Sequence, residues 1–324
     1  MTALIQKAAC IGGGVIGGGW VARFALNGVE VRVFDPNPAV ERQVSEIMVN
    51  ARKAHLALHG DNCSAEGEIL FCDSLEAAVA DAELVQESIP ERLDLKQQVL
   101  GDIENAASEQ TIIGSSTSGL LPSKMQANLK RPEMLTVAHP FNPVYLLPLV
   151  ELCGGAQTSA RTLERAGEIY DSLGMKSLVI RKEIDAFIAD RLLEAVWRES
   201  LHLVNDGVAS TKEIDDAIRY GFGLRWAQMG LFQTYHVAGG EAGMRHFVSQ
   251  FGPSLKWPWT KLMDVPELTE ALIDKIADGV EEQANGKTFR DLEAKRDQNL
   301  VGILKALQAN NWGAGALLNG REES

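Results

Sequence analysis

The stretch Gly12–Gly17, Gly-Gly-Gly-Val-Ile-Gly, constrains the fold of this 324-residue chain more than any other feature. It follows directly on the apolar segment Lys7–Ile11, which predicts a short buried strand, and it precedes a segment with helical spacing. In such a unit, Gly12 permits a tight turn, Gly14 lets the backbone approach a phosphate, and Gly17 allows close helix packing. The pattern therefore predicts a dinucleotide site with phosphate at the helix amino terminus. The predicted binding residues of this turn are Gly12, Gly13, Gly14, Val15, Ile16 and Gly17.

An acidic residue at the end of the next predicted strand strengthens this interpretation. Glu30–Phe34 has the residue types of a half-buried strand, and Asp35 follows it, eighteen residues after Gly17. At that position a carboxylate binds the ribose hydroxyls of the adenosine and repels the 2′-phosphate of NADP. Pro36 and Asn37 supply no basic group beside it. The sequence therefore predicts NAD as the cofactor.

Strand and helix patterns alternate from Lys7 to Ile180 and then change in character. From Ala186 onward only helical spacing recurs, broken by turns rich in Gly or Pro. The predicted helices there cover residues 187–206, 211–220, 228–251 in pieces, 267–285 and 289–310. The predicted fold class is α/β, with a Rossmann-type doubly wound sheet domain over residues 1–184 and an all-helical domain over residues 185–324.

The stretch His139–Glu151 places an imidazole and a carboxylate on two short apolar segments. Leu135–Ala138 predicts a buried strand ending at His139, residues 147–152 predict a second strand, and the prolines between them exclude a helix. A histidine held by a buried carboxylate has a fixed tautomer and a more basic second nitrogen, as a general base requires. Taken alone, a histidine at a strand end is more often structural. Its interpretation as a base therefore depends on the dinucleotide site that precedes it.

A run of hydroxyl residues, Ser115–Ser118, follows the predicted strand Thr111–Gly114. In a doubly wound sheet, loops at the carboxyl ends of strands line the ligand crevice, so Ser118 lies where a substrate can bind. Ser118 is equally well placed to cap a short helical segment around Pro122–Gln126. The motif alone leaves both functions open.

Composition and charge exclude several classes of protein. An apolar fraction of 45% is too high for a disordered chain, and no run of eighteen apolar residues predicts a membrane span. Because Met1–Lys7 lacks the features of a signal peptide, we expect a soluble cytoplasmic protein with no membrane partner. A net charge of −13 disfavours binding to nucleic acid. The cysteines lack metal-type and redox-type spacing, so we expect no metal site and four free thiols: Cys10, Cys63, Cys72 and Cys153.

Several motifs together resemble the 3-hydroxyacyl-CoA dehydrogenase family over almost the whole chain. They are Gly12–Gly17 with Asp35, Ser115–Ser118, His139–Pro143, Glu151 and Phe187–Arg191. The resemblance implies that His139 takes the proton from a substrate hydroxyl and that Glu151 orients it. It also implies that Ser118 and Asn142 hold the substrate and the nicotinamide. Two further positions match family residues that contact the cofactor, Glu91 and Lys96.

A homodimer through the helical domain is expected on two grounds. The family resemblance implies it, and the helices after Ala186 carry more apolar positions than a five-helix unit readily buries alone. These apolar positions include Leu192, Leu201, Leu231, Phe232 and Leu272.

Two departures from the family pattern point away from an acyl-CoA substrate. The helical region between Asp35 and Glu83 is shorter and less lysine-rich than the arm with which family members bind CoA, and Asp190 stands where they usually have Asn. The segments most similar to the branch of the family that oxidises L-carnitine with NAD are 115–122, 139–151, 187–208 and 239–260. The resemblance therefore implies L-carnitine, a 3-hydroxy acid with a quaternary ammonium, as the small-molecule substrate.

The helical face Asp190, Glu194 and Trp197 offers a site for that ammonium, because positions i, i+4 and i+7 of a helix point the same way. Aromatic faces and nearby negative charge bind a quaternary ammonium, so Asp190 and Trp197 are the predicted binding residues. Ion pairing with a neighbouring arginine and burial of the indole are the alternative explanations. Additional aromatic candidates are Trp226, Trp257 and Trp259. Candidates for binding the substrate carboxylate are Arg191, Arg198 and Arg225.

Two other functions remain as alternatives. A chain of this fold can oxidise another 3-hydroxy acid, either a sugar acid or a 3-hydroxyacyl-CoA. A non-catalytic NAD-binding or structural protein is the third hypothesis, but such a chain has no need to keep the residues of the predicted reaction centre together.

Overall fold

The structure is a computed structural model that describes residues 3–60, 63–239, 241, 243–251, 258, 260–261, 267, 269–274, 278 and 285–319. The chain divides into two compact units. The first comprises residues up to Ala189 together with residues from Arg296 onward, and the second is Asp190–Lys295. The first unit thus extends past residue 184 and takes in the end of the chain, which helical spacing alone assigns to the helical domain.

An eight-stranded sheet forms the centre of the first unit. Its strands are β1 (Lys7–Ile11), β2 (Glu30–Phe34), β3 (Ile69–Phe71), β4 (Leu84–Glu87), β5 (Ile112–Ser115), β6 (Leu135–Pro140), β7 (Leu149–Gly154) and β8 (Lys176–Ile180). They lie in the order β3-β2-β1-β4-β5-β6-β7-β8. Strands β1 to β6 run parallel, β7 pairs antiparallel with β6, and β8 pairs parallel with β7. The order of the first six strands is that of a doubly wound Rossmann sheet, so the predicted fold class is confirmed.

Helices accompany the strands of the first unit and make up the second. The first set is α1 (Val15–Ala25), α2 (Val40–His59), α3 (Leu75–Val79), α4 (Leu93–Ala106), α5 (Pro122–Met125), a 3₁₀ turn (Pro132–Met134) and α6 (Ala160–Ser172). There follow α7 (Ala189–Asn205), α8 (Thr211–Ala217), a π-helical turn (Ile218–Phe222), α9 (Gly223–Ala238) and α10 (Gly243–Phe251). The described chain ends with α11 (Phe289–Ala309), α12 (Gly313–Ala316) and a 3₁₀ turn (Leu317–Asn319). Helix α3 escaped prediction because a single short turn is too brief for a periodic pattern.

Strand β1 is buried on both faces, which fixes it at the centre of the sheet. Ala8 and Cys10 belong to an apolar cluster that includes Trp20, whereas Ala9 and Ile11 belong to a second cluster. Successive side chains of a strand point to opposite faces, so the two clusters lie on the two sides of the sheet. The glycine turn therefore emerges from the middle of the sheet, where a doubly wound fold binds its ligand.

The last long helix, α11, packs on the first unit. Its Leu304 is buried in a cluster with Ala54 of α2 and Leu146 of the connection between β6 and β7. The hydroxyl of Tyr145, in the same connection, donates a 2.5 Å hydrogen bond to Oδ2 of Asp297 on α11. These contacts explain why the end of the chain groups with the dinucleotide fold.

The structure corrects part of the apolar surface predicted for the dimer. Leu201 and Leu272 are buried, with only 7% and 4% of their surface exposed, so packing within the chain already covers them. Leu231 is half-buried. Leu192 and Phe232 remain exposed, at 58% and 72%.

Other predictions have separate outcomes. Most of the predicted helix 267–285 lies outside the described residues. All four cysteines are free thiols, as predicted. No helix in the described ranges has the length and apolar character to cross a membrane.

Candidate active site

The carboxyl ends of the parallel strands carry the predicted dinucleotide site. Strand β1 ends at Ile11, and after the glycine turn helix α1 begins at Val15. Gly14 is the N-cap of α1, and no side chain caps this helix end. The first N–H groups of a helix have no partner within the helix and, with the helix dipole, favour a phosphate.

Steric contacts explain each glycine of the turn. A Cβ atom on Gly17 would lie 1.8 Å from the carbonyl oxygen of Gly12, so no side chain fits there. Gly12 has a φ of +93°, and a Cβ on it would lie 2.7 Å from the carbonyl oxygen of Ser88. A Cβ on Gly14 would meet nothing within 4 Å, so the backbone there borders open space that a phosphate can enter. The turn therefore fits a dinucleotide.

Asp35 is held at the end of β2 by two backbone N–H groups. Gly13 donates to Oδ2 at 2.7 Å, and Asn37 donates to Oδ1 at 2.8 Å. An ionised carboxylate has about four acceptor positions, so both oxygens can still accept from ribose hydroxyls. The same contacts fix the negative charge beside the glycine turn.

His139 on β6 lies directly opposite Glu151 on β7 in the antiparallel register. Nδ1 of His139 is 2.9 Å from Oε2 of Glu151, and the two residues are 4% and 0% exposed. The other oxygen of Glu151 accepts the N–H groups of Ile188 at 3.1 Å and Ala189 at 3.0 Å. A carboxylate oxygen accepts each of these hydrogen bonds, and a carboxylate has no hydrogen to donate to Nδ1. Nδ1 is therefore the donor of the neutral imidazole, and Nε2 is its acceptor nitrogen.

Two aromatic rings enclose the His139 imidazole. Phe141 meets it edge-on with ring centroids 5.0 Å apart, and Phe187 lies at 5.6 Å. Phe187 is wholly buried, and both it and Ala186 have positive φ, 51° and 59°. This left-handed backbone is costly for residues other than glycine, and such strain is characteristic of functional sites.

Ser118 is exposed on the loop after β5, and Glu91 holds that loop in place. Oε1 of Glu91 accepts the N–H groups of Ser118 and Gly119, both at 3.1 Å, and also the hydroxyl of Thr117. Because β5 and β6 are parallel neighbours, Ser118 and His139 both lie at the carboxyl ends of these strands.

Lys96, for which a contact with the cofactor is predicted, is buried beside this loop. Its ammonium lies 2.7 Å from Oε1 of Glu87, 3.2 Å from the carbonyl oxygen of Ile89 and 3.6 Å from Oε2 of Glu91. The side chains of Lys96 and Glu87 are 1% and 0% exposed. Buried charges are tolerated when they are paired and hydrogen-bonded, as here. Two of the three ammonium donors have acceptors at hydrogen-bond distance, Glu87 and Ile89, and the charge of Lys96 also lies close to Glu91.

A buried polar network connects β4 and β5 to helix α1. Oγ of Ser116 accepts hydrogen bonds from Nε1 of Trp20 at 3.1 Å and Nε2 of Gln86 at 2.8 Å. Oε1 of Gln86 accepts from the hydroxyl of Tyr170 at 2.6 Å, which fixes the orientation of the amide. Because both acceptor positions of Ser116 are used, its own hydroxyl donates to Oγ of Ser88, 2.9 Å away. The hydroxyl hydrogen of Ser88 is then available to a ligand.

Sequence reasoning missed this network and the buried Glu87. Ser88 borders the glycine turn, because a Cβ atom added to Gly17 would lie 3.3 Å from the Cβ of Ser88. The available signal was the polar run Gln86-Glu87-Ser88 at the end of an apolar strand. Polar residues that end a buried parallel strand point to the ligand crevice.

Three further predictions concern Asn142, the cap of helix α5 and metal ligands. Asn142 is exposed on the turn after β6. Leu121, and not Ser118, is the N-cap of α5, so the capping alternative for Ser118 is wrong. Among the described residues, no three His, Cys, Asp or Glu side chains gather as metal ligands.

The predicted ammonium-binding residues lie on α7 in the second unit. Asp190 is in the first turn of the helix, and Trp197 is 57% exposed. Glu194 lies 3.7 Å from Nε of Arg198, so ion pairing explains this carboxylate. The ring of Trp226 packs at 4.6 Å from Phe222. Two further candidates, Trp257 and Trp259, lie outside the described residues.

Comparison with protein families gives a match over most of the chain. The model for the NAD-binding domain of 3-hydroxyacyl-CoA dehydrogenase matches residues 7–184. The model for the C-terminal domain of 3-hydroxyacyl-CoA dehydrogenase matches residues 187–279.

Two curated relatives illustrate the level of similarity. "L-carnitine dehydrogenase" of Mesorhizobium japonicum is 59% identical over 319 residues, which cover 97% of this chain and 88% of the relative. "L-carnitine dehydrogenase/betainyl-CoA thioesterase" of a Rhizobium species is 56% identical over 318 residues, which cover 97% of this chain. The matched part makes up only 64% of that longer relative.

A solved structure shows the same architecture. It is the crystal structure of 5-formyl-3-hydroxy-2-methylpyridine 4-carboxylic acid 5-dehydrogenase, described as an NAD⁺-dependent dismutase. The two chains superpose with a TM-score of 0.78 at 26% identity, over 98% of this chain and 100% of the other.

Proposed function

Because the chain belongs to the 3-hydroxyacyl-CoA dehydrogenase family, we propose that it oxidises the 3-hydroxyl of L-carnitine to 3-dehydrocarnitine with NAD. Identity of 59% to a relative named for this substrate, over 97% of the chain, supports the proposal. The dinucleotide site and the family match make the protein an NAD-dependent oxidoreductase.

The pairing of His139 with Glu151 carries the proposed mechanism. The hydroxyl proton of the substrate passes to Nε2 of His139, the acceptor nitrogen of the neutral ring. The carboxylate of Glu151 then stabilises the imidazolium that forms, while its two backbone donors keep it in place. When bound, NAD supplies the hydride acceptor. The product is the ketone.

Ser118 and Asn142 hold the reacting groups in this proposal. The Ser118 hydroxyl donates to the same substrate oxygen that His139 deprotonates, which stabilises negative charge on that oxygen. Glu91 supports this role because it accepts the N–H of Ser118 at 3.1 Å and thereby fixes the loop. Glu91 and Lys96, whose charged groups lie 3.6 Å apart, are proposed to contact the cofactor.

The cofactor contacts follow from the same crevice. The N–H groups at the start of α1 bind the pyrophosphate, and Asp35 accepts hydrogen bonds from the adenosine ribose. The hydrogen-bond network adds Ser88, whose hydroxyl donates to an oxygen of the dinucleotide beside Gly12 and Gly17.

Asp190 and Trp197 are proposed to receive the trimethylammonium group. A quaternary ammonium has no N–H to donate, so it requires aromatic faces and negative charge, and the exposed indole of Trp197 provides such a face. Asp190→Asn should impair oxidation of L-carnitine but not of an uncharged analogue in which tert-butyl replaces the ammonium. Equal loss on both substrates would show that Asp190 has a structural role.

A panel of 3-hydroxy acids tests the substrate. The wild-type protein and His139→Gln are assayed with NAD by NADH absorbance, using L-carnitine, 3-hydroxybutyrate, 3-hydroxybutyryl-CoA and a sugar acid. We expect the highest kcat/KM with L-carnitine and almost none in the variant. A higher kcat/KM with the CoA thioester or the sugar acid would assign one of the alternative functions. Absence of turnover with every substrate would favour the non-catalytic hypothesis.

The proposal also includes an oligomeric state and a cellular location. A homodimer through the second unit would cover exposed apolar side chains such as Leu192 and Phe232, and light scattering should give twice the chain mass. A cytoplasmic location follows from the supply of NAD there, and fractionation of the source cells tests it.

A further inference from the structure

A cavity of about 290 Å³ lies in the first unit between α1, α2, the connection from β6 to β7 and the segment after α11. Three basic side chains line it, Arg23, His55 and His59, and no Asp or Glu is among its lining residues within the described chain. In a protein with 44 Asp and Glu against 31 Lys and Arg residues, a cavity lined by one arginine and two histidines requires an explanation. His139, Glu151 and the glycine turn do not line the cavity, so it is separate from the proposed active site.

Arg23 has donors to spare at this cavity. Its Nε and Nη2 donate to the carbonyl oxygen of Val144 at 3.0 and 2.8 Å, and Nη2 also lies 3.3 Å from that of Leu147. Both acceptors are uncharged, and the two N–H groups of Nη1 have no acceptor among the described residues. Burial lowers the pKa of Arg23 to about 10, so the guanidinium still carries its charge at neutral pH.

Two histidines of α2 line the same cavity as Arg23, and the charge of Glu66 partly offsets that of Arg23 at His55. Nε2 of His55 is buried and has no hydrogen-bond partner among the residues that the structure describes. His59 lies one helical turn further along α2, with ring centroids 4.5 Å apart. Burial, His59 and Arg23 lower the pKa of His55 to about 4, and burial and Arg23 also lower the pKa of His59. Leaving a buried polar atom unpaired costs free energy that a bound acceptor would recover.

We propose that this cavity binds a small organic carboxylate, with its anionic group on Arg23 and the histidines. The two N–H groups of Arg23 Nη1 can donate to a carboxylate, the charges on both partners strengthen such a hydrogen bond, and the low dielectric of a half-enclosed site strengthens it further. Leu146, Leu304 and Leu317 line the same cavity, so the ligand also carries an apolar portion. The ligand is thus a second bound molecule, distinct from the substrate at His139.

Hexanoate serves as the probe, at constant ionic strength, with the full-length protein. Calorimetry should show saturable binding of hexanoate, whereas hexan-1-ol should bind at least tenfold more weakly. NMR titration of the histidine rings should show that hexanoate raises the pKa of His55 and His59, because a nearby anion favours the protonated rings. Equal binding of the alcohol, or unchanged histidine pKa values, would overturn the proposal.

One variant tests the charge of Arg23 and a second tests the volume of the cavity. Arg23→Gln should weaken hexanoate roughly tenfold or more, as expected for loss of a charge-assisted hydrogen bond. Because Arg23 also supports the carbonyls of Val144 and Leu147, Ala314→Phe provides an independent variant that fills the cavity and keeps every charge. Undiminished binding in Ala314→Phe would place the ligand elsewhere.

Inorganic phosphate and the acidic residues at the end of the sequence are two alternative occupants of the cavity, and each can be tested. Inorganic phosphate that binds as tightly as hexanoate would overturn the assignment of an organic carboxylate. The chain itself ends in Glu322, Glu323 and Ser324, close in sequence to the cavity residue Asn319. Hexanoate binding that is unchanged in a Glu322→Gln/Glu323→Gln variant supports the proposal, and a gain above tenfold would identify these acids as the occupant.

Discussion

Glu151 shares its carboxylate between the His139 imidazole and two backbone amides, with His139 2.9 Å from one oxygen and Ile188 and Ala189 about 3 Å from the other. The amides fix the position of the carboxylate, so the orientation of the histidine ring follows from the backbone of a neighbouring segment. The direction in which Nε2 of His139 points thus depends on residues that need not touch the substrate.

Replacing His139 with glutamine should lower kcat by roughly 10²–10⁴, the usual contribution of a positioned acid or base. Gln keeps comparable bulk between Phe141 and Phe187 but cannot take up a proton at neutral pH. The measurement is steady-state NADH formation with L-carnitine, and unchanged NADH binding serves as the folding control. Near-full turnover would remove His139 from the mechanism.

Glu151→Gln should lose less activity than His139→Gln. The amide oxygen of Gln can still accept from Ile188 and Ala189, but its NH₂ group then faces Nδ1 of His139. With the amide in this orientation, Nδ1 accepts and the ring hydrogen moves to Nε2, so the tautomer that can receive the substrate proton is disfavoured. The imidazole is still present and can adopt that tautomer, whereas His139→Gln has no base at all, so the loss of activity should be smaller. Comparing kcat of both variants at several pH values checks this, and an equal or larger loss in Glu151→Gln would show that the acid does more than orient.

Asp35→Ala should weaken NAD by roughly 10- to 100-fold and reduce the preference over NADP. The estimate corresponds to lost hydrogen bonds to a charged group, about 1.5–3 kcal/mol. Glu41→Ala, which removes an exposed acid from the first turn of α2, is the matched control for net charge. If the wild-type protein used NADP as efficiently as NAD, the assignment of the ribose to Asp35 would be wrong.

Ser88→Ala and Ser116→Ala should have opposite signatures. Ser88→Ala removes the hydroxyl that the network directs toward the dinucleotide, so the Kd of NADH should rise about 2- to 10-fold with little change in stability. Ser116→Ala leaves the N–H groups of Trp20 and Gln86 without their acceptor and should mainly lower the free energy of unfolding. NADH titration and urea unfolding of both variants make the comparison. The same NADH affinity in Ser88→Ala and wild type would refute this role.

His55 should make stability depend on pH between about 4 and 6.5. Its pKa is about 4 in the folded protein, against 6.5 as its ordinary value, so the unfolded chain binds the extra proton within this window. The free energy of unfolding therefore rises with pH across the window and is fully restored above it. Urea unfolding at a series of pH values should give a smaller slope for His55→Gln than for wild type. Identical slopes would mean that the histidine is protonated equally in both states.

Local sequence patterns were sufficient for much of the site. The glycine turn and Asp35 follow strand ends, and His139 and Glu151 lie on two short apolar segments that form β6 and β7. The alternation of apolar segments locates these strands without any knowledge of distant contacts.

Sequence patterns could not predict contacts that depend on long-range packing. Lys96 resembles a surface lysine on a helix until Glu87 and Ile89 are brought beneath it. Leu201 and Leu272 lie on the apolar faces of helices and are buried in the structure. Helical periodicity identifies an apolar face but does not show whether the same chain or a second copy covers it.

The return of α11 to the first unit has a consequence for how the protein is made. During synthesis, Ala54 and Leu146 emerge from the ribosome long before Leu304, which completes their cluster. Tyr145 likewise emerges long before Asp297, the acceptor of its hydrogen bond. The nucleotide-binding unit therefore cannot finish folding as an amino-terminal domain ahead of the helices that follow it. Vectorial folding must leave this part of its surface open until almost the whole chain has been translated, a period in which a chaperone has access to it.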